Sequence, residues 1–272
     1  MEGMANLAQN LQRIVNNLGV NLELPCSEEK LLQMQCDSLN KIKGARTGYD
    51  CPECKNRGYI NVVKDGQIIM KECRCSIVRR SIRNIEKSGL KELLDQCTFQ
   101  NYRVEDGWQR IAVDSAKRFL RDHDGKWFYI GGQVGAGKTH ICTAIVGELL
   151  KIGLPAQYML WRDEVTSLKG KIMDDVGYGK AMERLKTIKV LYIDDFFKCS
   201  QGNKPTGAEV NIAFELLNSR YNNKNLITII SSERRVQDIL SIDEAVGSRI
   251  YHRTREYCLE IPRDRNRNYR LR

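Results

Sequence analysis

The sequence predicts an α/β protein built around a phosphate-binding loop, with a short helical arm and a cysteine module ahead of it. Three observations carry this. Gly132-Gln133-Val134-Gly135-Ala136-Gly137-Lys138-Thr139 reads G-x-x-x-x-G-K-T, the pattern of a loop whose backbone N–H groups cradle phosphates. Apolar runs of strand length alternate with helical periodicity between Trp127 and Ile261, as in βαβ architectures. The run Val190-Leu191-Tyr192-Ile193 closes on Asp194-Asp195, which puts two carboxylates at one strand end.

The loop has the flanks its chemistry needs. Trp127-Phe128-Tyr129-Ile130 in front reads as a buried strand, and Ile141, Cys142, Ala144, Ile145, Leu149 and Leu150 behind it repeat as one face of a helix. Glycines let the backbone turn with φ > 0, so that N–H groups converge on phosphate oxygens. The helix N-terminus adds partial positive charge. Lys138 would then reach the β- and γ-phosphates of ATP, and Thr139 would hold Mg²⁺. The plainer alternative, a glycine-rich turn that binds nothing, leaves the strand and helix flanks unexplained.

Composition bounds the rest. In 272 residues the chain holds one ATPase-sized domain plus a small module. Its 42% hydrophobic and 29% charged residues are those of a soluble globular protein. No apolar run approaches the ~20 residues of a membrane helix, and Met1-Glu2-Gly3-Met4 opens no signal peptide, so a cytoplasmic protein without a membrane partner is expected. A net charge of +10 favours a polyanionic partner. Ten cysteines without an export signal read as reduced thiols, some of them metal-bound.

Residues 1–48 read as a helical arm. Met4, Leu7, Leu11, Ile14, Val15 and Leu18 recur with helical spacing up to Gly19, and Leu31, Leu32, Leu39 and Ile42 form a second set after Ser27, a candidate N-cap. So short a segment cannot bury its own apolar face; it packs on the rest of the chain or docks a partner protein. Residues 49–95 read as a cysteine module and a basic helix. Cys51-Pro52-Glu53-Cys54 and Cys73-Arg74-Cys75 bracket a hairpin, Tyr59 to Val63 and Gln67 to Lys71 around Lys64-Asp65-Gly66. Four thiolates gathered by a hairpin suit tetrahedral Zn²⁺ in a structural role. The C-x-C pair is one residue tighter than the usual knuckle, and the alternatives are a redox C-x-x-C or four unrelated thiols. After Cys75, Val78, Ile82 and Ile85 form an apolar face, while Arg79, Arg83, Lys87 and Lys91 form a positive stripe. Like charges at that spacing repel, so the stripe is either a solvated face or a contact for nucleic acid or an acidic partner.

Residues 96–272 read as the ATPase domain. A helix from Trp108 to Leu120 precedes the loop strand. Ala156 to Trp161 forms a second strand, and residues 162–187 form helix, broken near Gly177-Tyr178-Gly179. In the Walker B pattern that follows, Asp194 would hold the Mg²⁺ shell and Asp195 would orient or deprotonate the attacking water. A helix over 207–222, a strand from Leu226 to Ile230 ending in Ser231-Ser232-Glu233, and a last strand from Tyr257 to Ile261 complete the alternation. The basic end, Arg263 to Arg272, either tracks single-stranded nucleic acid or is a solvated tail.

The ordered set Phe99-Gln100-Asn101-Tyr102, Gly131 to His140, Leu191 to Phe197, Ile229 to Glu233 and Gly247-Ser248-Arg249-Ile250 resembles the DnaC/DnaI-type helicase loaders and their phage and prophage relatives. The cysteine module is similar to the zinc module of DnaI-type loaders, and the likeness covers roughly residues 48–262. It implies an AAA+ core, a parallel five-stranded sheet between helices with no C-terminal lid, in a bacterial or phage-infected cell. It implies nucleotide contacts from Gly132 through His140, with Phe99 and Tyr102 near the adenine. Ser232 takes the sensor 1 position at its strand tip, with Glu233 as the alternative, and Arg249 is the arginine finger reaching a neighbouring subunit's nucleotide. The second carboxylate is more often glutamate in such proteins; aspartate is one methylene shorter, and slow turnover follows. The implied partners are a replicative hexameric helicase, bound through the N-terminal region, and single-stranded DNA, held by an ATP-dependent homo-oligomer with Arg162, Lys169 and Lys171 as contact candidates.

Rival readings share the motor. A transposase-helper ATPase similar to IstB would act on duplex DNA and usually lacks such a cysteine module. A nucleotide or small-molecule kinase would need an acceptor site and a mobile arginine-bearing lid. A DnaA-type initiator would carry a helix-turn-helix after the ATPase domain, for which little chain remains beyond residue 261.

Overall fold

The computed structural model describes residues 28–87, 91–199 and 204–271. The first apolar set of the arm, Met4 to Leu18, and the Ser27 cap lie outside the described residues. The chain divides into two compact units between Cys73 and Arg74.

In the first unit, helix α1 (Glu28–Lys41) accompanies a hairpin of β1 (Tyr59–Lys64) and β2 (Gln67–Glu72). The strands pair antiparallel from Tyr59↔Glu72 to Lys64↔Gln67. The tight turn between them needs φ > 0 twice, met by Asp65 (49°) and Gly66 (71°). A polar knot ties the helix to the hairpin. The Asn40 side chain donates to Asn61 O at 2.8 Å and accepts from Asn61 N at 2.9 Å. Arg57 donates to Leu39 O and Asn40 Oδ1, each at 2.7 Å. Because this seam is polar, Leu31, Met34, Leu39 and Ile42 stay exposed.

The second unit opens with α2 (Cys75–Lys87) and α3 (Lys91–Gln96), then α4 (Gly107–Arg121), β3 (Trp127–Gly132), α5 (Lys138–Lys151), β4 (Ala156–Leu160), α6 (Trp161–Gly170), α7 (Asp175–Thr187) and β5 (Val190–Asp194). It continues through α8 (Gly207–Asn222), β6 (Ile227–Ser231), α9 (Val236–Ile242), α10 (Glu244–Thr254) and β7 (Cys258–Ile261), and two short 3₁₀ turns, Arg265–Arg267 and Tyr269–Leu271. The sheet is parallel throughout, in the order β4-β5-β6-β3-β7. Both its faces are covered, so its strands are continuously apolar rather than alternating.

Alternation still decides which layer each side chain joins. Phe128 and Ile130 of β3 and Tyr192 of β5 pack with α4 and α5, against Phe119, Ile141, Ile145 and Leu149. Trp127, Tyr129, Leu191 and Ile193 pack on the other side with Leu168, Leu185, Leu216, Ile239 and Ile250. Helix α2 belongs to this unit because its apolar face does: Ile85 is buried in the first layer and Ile82 packs against it. Arg79 of the expected positive stripe is buried, whereas Arg83 is exposed. The break expected near Gly177 to Gly179 falls earlier, between Gly170 and Asp175, because Asp174 caps α7 by accepting from Gly177 N at 3.0 Å. The glycines then sit inside the helix. Among the described residues no helix is long and apolar enough to cross a membrane.

Arg220 fixes one end of this layer. It is fully buried, and its guanidinium donates to Leu185 O and Ile188 O at 2.9 Å, Ile227 O at 2.6 Å and Thr228 Oγ1 at 2.9 Å. A cation at the carbonyl end of α7 suits the helix dipole. Burial, with Arg253 nearby, lowers its pKa to about 9. Arg220→Ala strands several buried acceptors at once and should lower the unfolding free energy by about 3 kcal/mol in urea denaturation; a loss below about 1 kcal/mol would show that this clamp does not hold the layer.

Candidate functional site

The crevice lies beyond the carboxyl ends of β3, β5 and β6, where open α/β sheets bind their ligands. The phosphate-binding loop leaves β3 through Gly132 (φ 105°), turns at Gly135 (70°) and enters α5 at Gly137 (78°). A side chain at any of the three would meet neighbours. Ile261 O stands against Gly132, Asn268 Oδ1 against Gly135 and the Tyr102 ring against Gly137. The loop can pack this closely against its neighbours only because these residues are glycine. A cavity of about 220 Å³ sits over it, lined by residues 134 to 140 together with Asp195, Lys198, Glu233 and Arg270.

Lys138 is buried and donates to Gly132 O at 3.0 Å and Gln133 O at 2.6 Å. Burial pulls its pKa below the usual lysine value, against the raising effect of Glu233, Asp195 and Asp194. Thr139 Oγ1 donates to Asp194 Oδ1 at 3.2 Å. Asp194 is buried at 4% exposure and is met from several elements. Tyr192 Oη donates to it at 2.8 Å, Tyr158 Oη at 3.1 Å and Asp195 N at 3.1 Å, and Ser231 Oγ also donates to Oδ1. Burying a carboxylate costs several kcal/mol, and hydrogen bonds to a charged acceptor return about 1.5–3 kcal/mol each, so this number of donors offsets the burial. Burial and the neighbouring Asp194 both push the Tyr158 and Tyr192 hydroxyls up in pKa, which keeps them protonated and donating.

Asp195 turns out of the strand at φ 53°, a left-handed conformation that aspartate tolerates. Its N–H also reaches Ser231 Oγ at 3.2 Å, and its Oδ2 pairs with Lys198 Nζ at 2.7 Å. The same ammonium reaches Glu233 Oε1 at 3.0 Å. Burial opposes the charge on Lys198, but the hydrogen bonds to Asp195 and Glu233 prevail and raise its pKa. Ser231 faces Asp194. The fully buried Ser232 donates to Phe196 O at 2.7 Å and accepts from Arg234 N at 3.1 Å. Glu233 lines the cavity.

Tyr102 packs edge-on to His140 with centroids 5.1 Å apart, and its buried Oη has no hydrogen-bond partner among the described residues. His140 Nε2 engages Thr98 O at 2.8 Å. Phe99 packs against the core layer beneath. Arg249 does not line the cavity: it donates to Asn218 Oδ1 at 3.0 Å and Ala245 O at 2.7 Å, with its guanidinium 5.0 Å from the Phe214 ring centroid. Lys169 is taken up by Glu209 at 2.9 Å, whereas Arg162 is exposed.

Tyr158, Tyr192, Ser231, Lys198 and Arg270 were not legible as site residues. Tyr192 carries a signal in retrospect, since it precedes Asp194 by two and shares its face of the strand. Tyr158 and Ser231 become neighbours only through register: Tyr158 pairs with Tyr192, and the Ile193↔Ile230 step leads to Asp194 and Ser231.

The donor sets fit their groups. Thr139 and Asp194 offer hard oxygens at the cradle's edge, suited to Mg²⁺. Cys51, Cys54, Cys73 and Cys75 are all buried, with their Sγ atoms within 4.8 Å of one another. A zinc tetrahedron with arms of about 2.3 Å has edges of about 3.8 Å, and Cys51 Sγ to Cys73 Sγ is 3.7 Å. The knuckle is shaped by Lys55 and Asn56 at positive φ, by Asn56 Oδ1 accepting from Cys51 N at 2.9 Å and by Gly58 N donating to Cys54 Sγ at 3.2 Å.

The family profile described as IstB-like ATP binding protein matches residues 66–272. The phage-like element PBSX protein XkdC of Bacillus subtilis (strain 168) is 30% identical over 223 residues, 78% of this chain and 82% of that protein. The replicative helicase loader DnaC of Escherichia coli (strain K12) is 29% identical over 116 residues, 42% of this chain and 47% of that protein, so the match spans about half of its length. The crystal structure of the DnaC helicase loader superposes with a TM-score of 0.52 at 19% identity, covering 64% of this chain and 99% of that one. The parallel five-stranded sheet between helices is thus the P-loop AAA+ fold expected from the sequence.

Metal analysis of the purified chain should return about one zinc per molecule, and Cys54→Ser should lower both zinc content and melting temperature. A well-folded protein free of zinc would contradict the reading of the cluster.

Proposed function

We propose that this chain, which belongs to the IstB-like ATP binding protein family, is an ATP-dependent loader of the replicative hexameric DNA helicase onto single-stranded DNA. The observation that carries the nucleotide half of this reading is the Thr139–Asp194 contact beneath a cradle of three positive-φ glycines. Thr139 and Asp194 would hold Mg²⁺, which would supply neutralisation of phosphate charge. Lys138 contacts the β- and γ-phosphates, and its reduced hydration in the buried site strengthens that attraction. Tyr102 packs beside the nucleotide with Phe99 below it. Asp195 orients the attacking water and takes its proton, giving ADP and phosphate. Lys198 holds Asp195 and Glu233 in a fixed arrangement; turnover is slow because Asp195 is one methylene shorter than glutamate. The sensor role falls to Glu233 rather than Ser232, because Glu233 faces the cavity while Ser232 is spent on backbone groups.

Arg249 completes the site of a neighbouring copy in an ATP-dependent homo-oligomer, acting in trans since it lies outside its own cavity. The zinc-bound hairpin and α1 form the helicase-binding part, with Leu31, Met34, Leu39 and Ile42 as its exposed apolar contacts. The excess positive charge supports a DNA partner, and the protein acts in the cytoplasm. The family profile also favours a second reading, a transposase-helper ATPase acting on duplex DNA.

Two tests follow. Lys138→Ala should abolish ATP binding by fluorescence titration while leaving the fold intact by circular dichroism; unchanged affinity would sink the site assignment. Purified replicative helicase should be captured by the full chain and lost from a Leu31→Asp, Met34→Asp variant. Capture of a transposase in place of the helicase would move the chain to the second reading.

A further inference from the structure

We infer that Lys198 is the residue that tells ATP from ADP at this site: its ammonium, shared here by Asp195 and Glu233, passes to the terminal phosphate of ATP. The inference rests on ATP binding at the loop and deepens it by giving the third phosphate a partner of its own. Lys198 is carried by the turn after β5, and that turn is held firmly. Asp195 (φ 53°) and Phe197 (54°) both take the left-handed region without being glycine. For a bulky residue such as phenylalanine this backbone is uncommon, and it persists only where the surroundings over-determine it. They do so here. Phe196 and Phe197 are fully buried and stacked on each other. Lys198 N closes the reversal by donating to Asp195 O at 3.0 Å. Three more bonds fasten the turn to the exit of β6: Phe196 N donates to Ser231 O at 2.9 Å, Ser232 Oγ to Phe196 O at 2.7 Å and Arg234 Nε to Phe197 O at 3.0 Å. The backbone of Lys198 is therefore fixed, and its side-chain stem is the part free to swing.

That stem ends at the cavity, which Lys198 lines together with Lys138, Thr139, Asp195 and Glu233. Its Nζ lies 2.7 Å from Asp195 Oδ2 and 3.0 Å from Glu233 Oε1, one positive charge against two negative ones. The excess negative charge repels a phosphate unless the ammonium turns towards it. The two lysines of the cavity differ in freedom. Lys138 is 7% exposed and seated on Gly132 O and Gln133 O, which suits a standing ligand of phosphates held within the loop. The Lys198 side chain is 39% exposed. Ion pairs at such exposure are weak, whereas an ammonium on a flexible stem is a strong point-charge partner for phosphate. Exchange of partners is therefore favoured once a third phosphate arrives. ADP has none, and leaves the ammonium on Asp195 and Glu233. ATP draws it off, which frees the Asp195 carboxylate for the attacking water. One side chain thus couples the nucleotide to the turns after both β5 and β6.

The test is a titration of the full-length wild type and its variants with a fluorescent, non-hydrolysable ATP analogue and, separately, with the matching ADP analogue, both with Mg²⁺. Lys198→Met should weaken the ATP analogue about tenfold relative to the ADP analogue, the usual scale of one charge-assisted hydrogen bond. Lys198→Gln should do the same, and circular dichroism and melting temperature should match the wild type in both. A second comparison separates a phosphate ligand from a counterion that serves only the two carboxylates. In an Asp195→Asn, Glu233→Gln background, adding Lys198→Met should still lower the affinity for the ATP analogue relative to the ADP analogue. Three results would each overturn the inference: a ratio of the two affinities in Lys198→Met within about twofold of wild type, an equal loss for both nucleotides, or no effect of Lys198→Met in the neutral background. None of them touches ATP binding at the loop, on which the ADP analogue and Lys138→Ala report separately; failure of the wild type to bind either nucleotide would overturn both.

Discussion

The carboxylate of Asp194 is the constraint from which the site is built. Four elements converge on it: Tyr158 from β4, Tyr192 and the Asp195 N–H from β5 and its turn, Ser231 from β6 and Thr139 from α5. Burying a carboxylate is costly unless donors replace its water, so its position dictates theirs. It locks the first turn of the loop helix to the middle of the sheet. It also sets the exit of β5. Once Asp195 turns at positive φ, Phe196 and Phe197 stack 4.1 Å apart beside Trp161, and Lys198 is carried back over the cavity.

That arrangement links the chemistry to the proposed ATP-dependent loading. Groups that would respond to a γ-phosphate, namely Asp195, Lys198 and Glu233, sit on two adjacent strand exits and share one ammonium. A new negative charge in the cavity competes for that ammonium. Any rearrangement is therefore felt first in the turns after β5 and β6, while the sheet beneath, with Ile130, Ile193 and Ile230 fully buried, stays fixed. Close packing makes such a core resist graded deformation.

Legibility in the sequence followed the range of the interaction. The loop from Gly132 to Thr139 and the Asp194-Asp195 pair are contiguous patterns, and the buried strands announce themselves as apolar runs. The hairpin was readable because Asp65-Gly66 can take the positive φ a tight turn needs. What register and long-range return decide was not readable. Ser231 meets Asp194, and Ser232 does not, only because β6 lies beside β5 in one register. The end of the chain looked like a basic tail because its charge is visible in sequence, while the Asn268, Tyr269 and Gly135 contacts that dock it are not. The apolar face of α2 was visible too, but not that it joins the sheet's layer through Ile85.

The two compact units divide the proposed labour, with a thiol-rich hairpin and an exposed apolar helix in one and the nucleotide machinery in the other. The measurement that tests the loader account most directly counts helicase rings on closed circular single-stranded DNA, which no ring can thread without being opened. The account predicts rings on the circles when helicase, ATP and this protein are combined, and few when Lys138→Ala replaces it. Equal numbers of rings without the protein would contradict it.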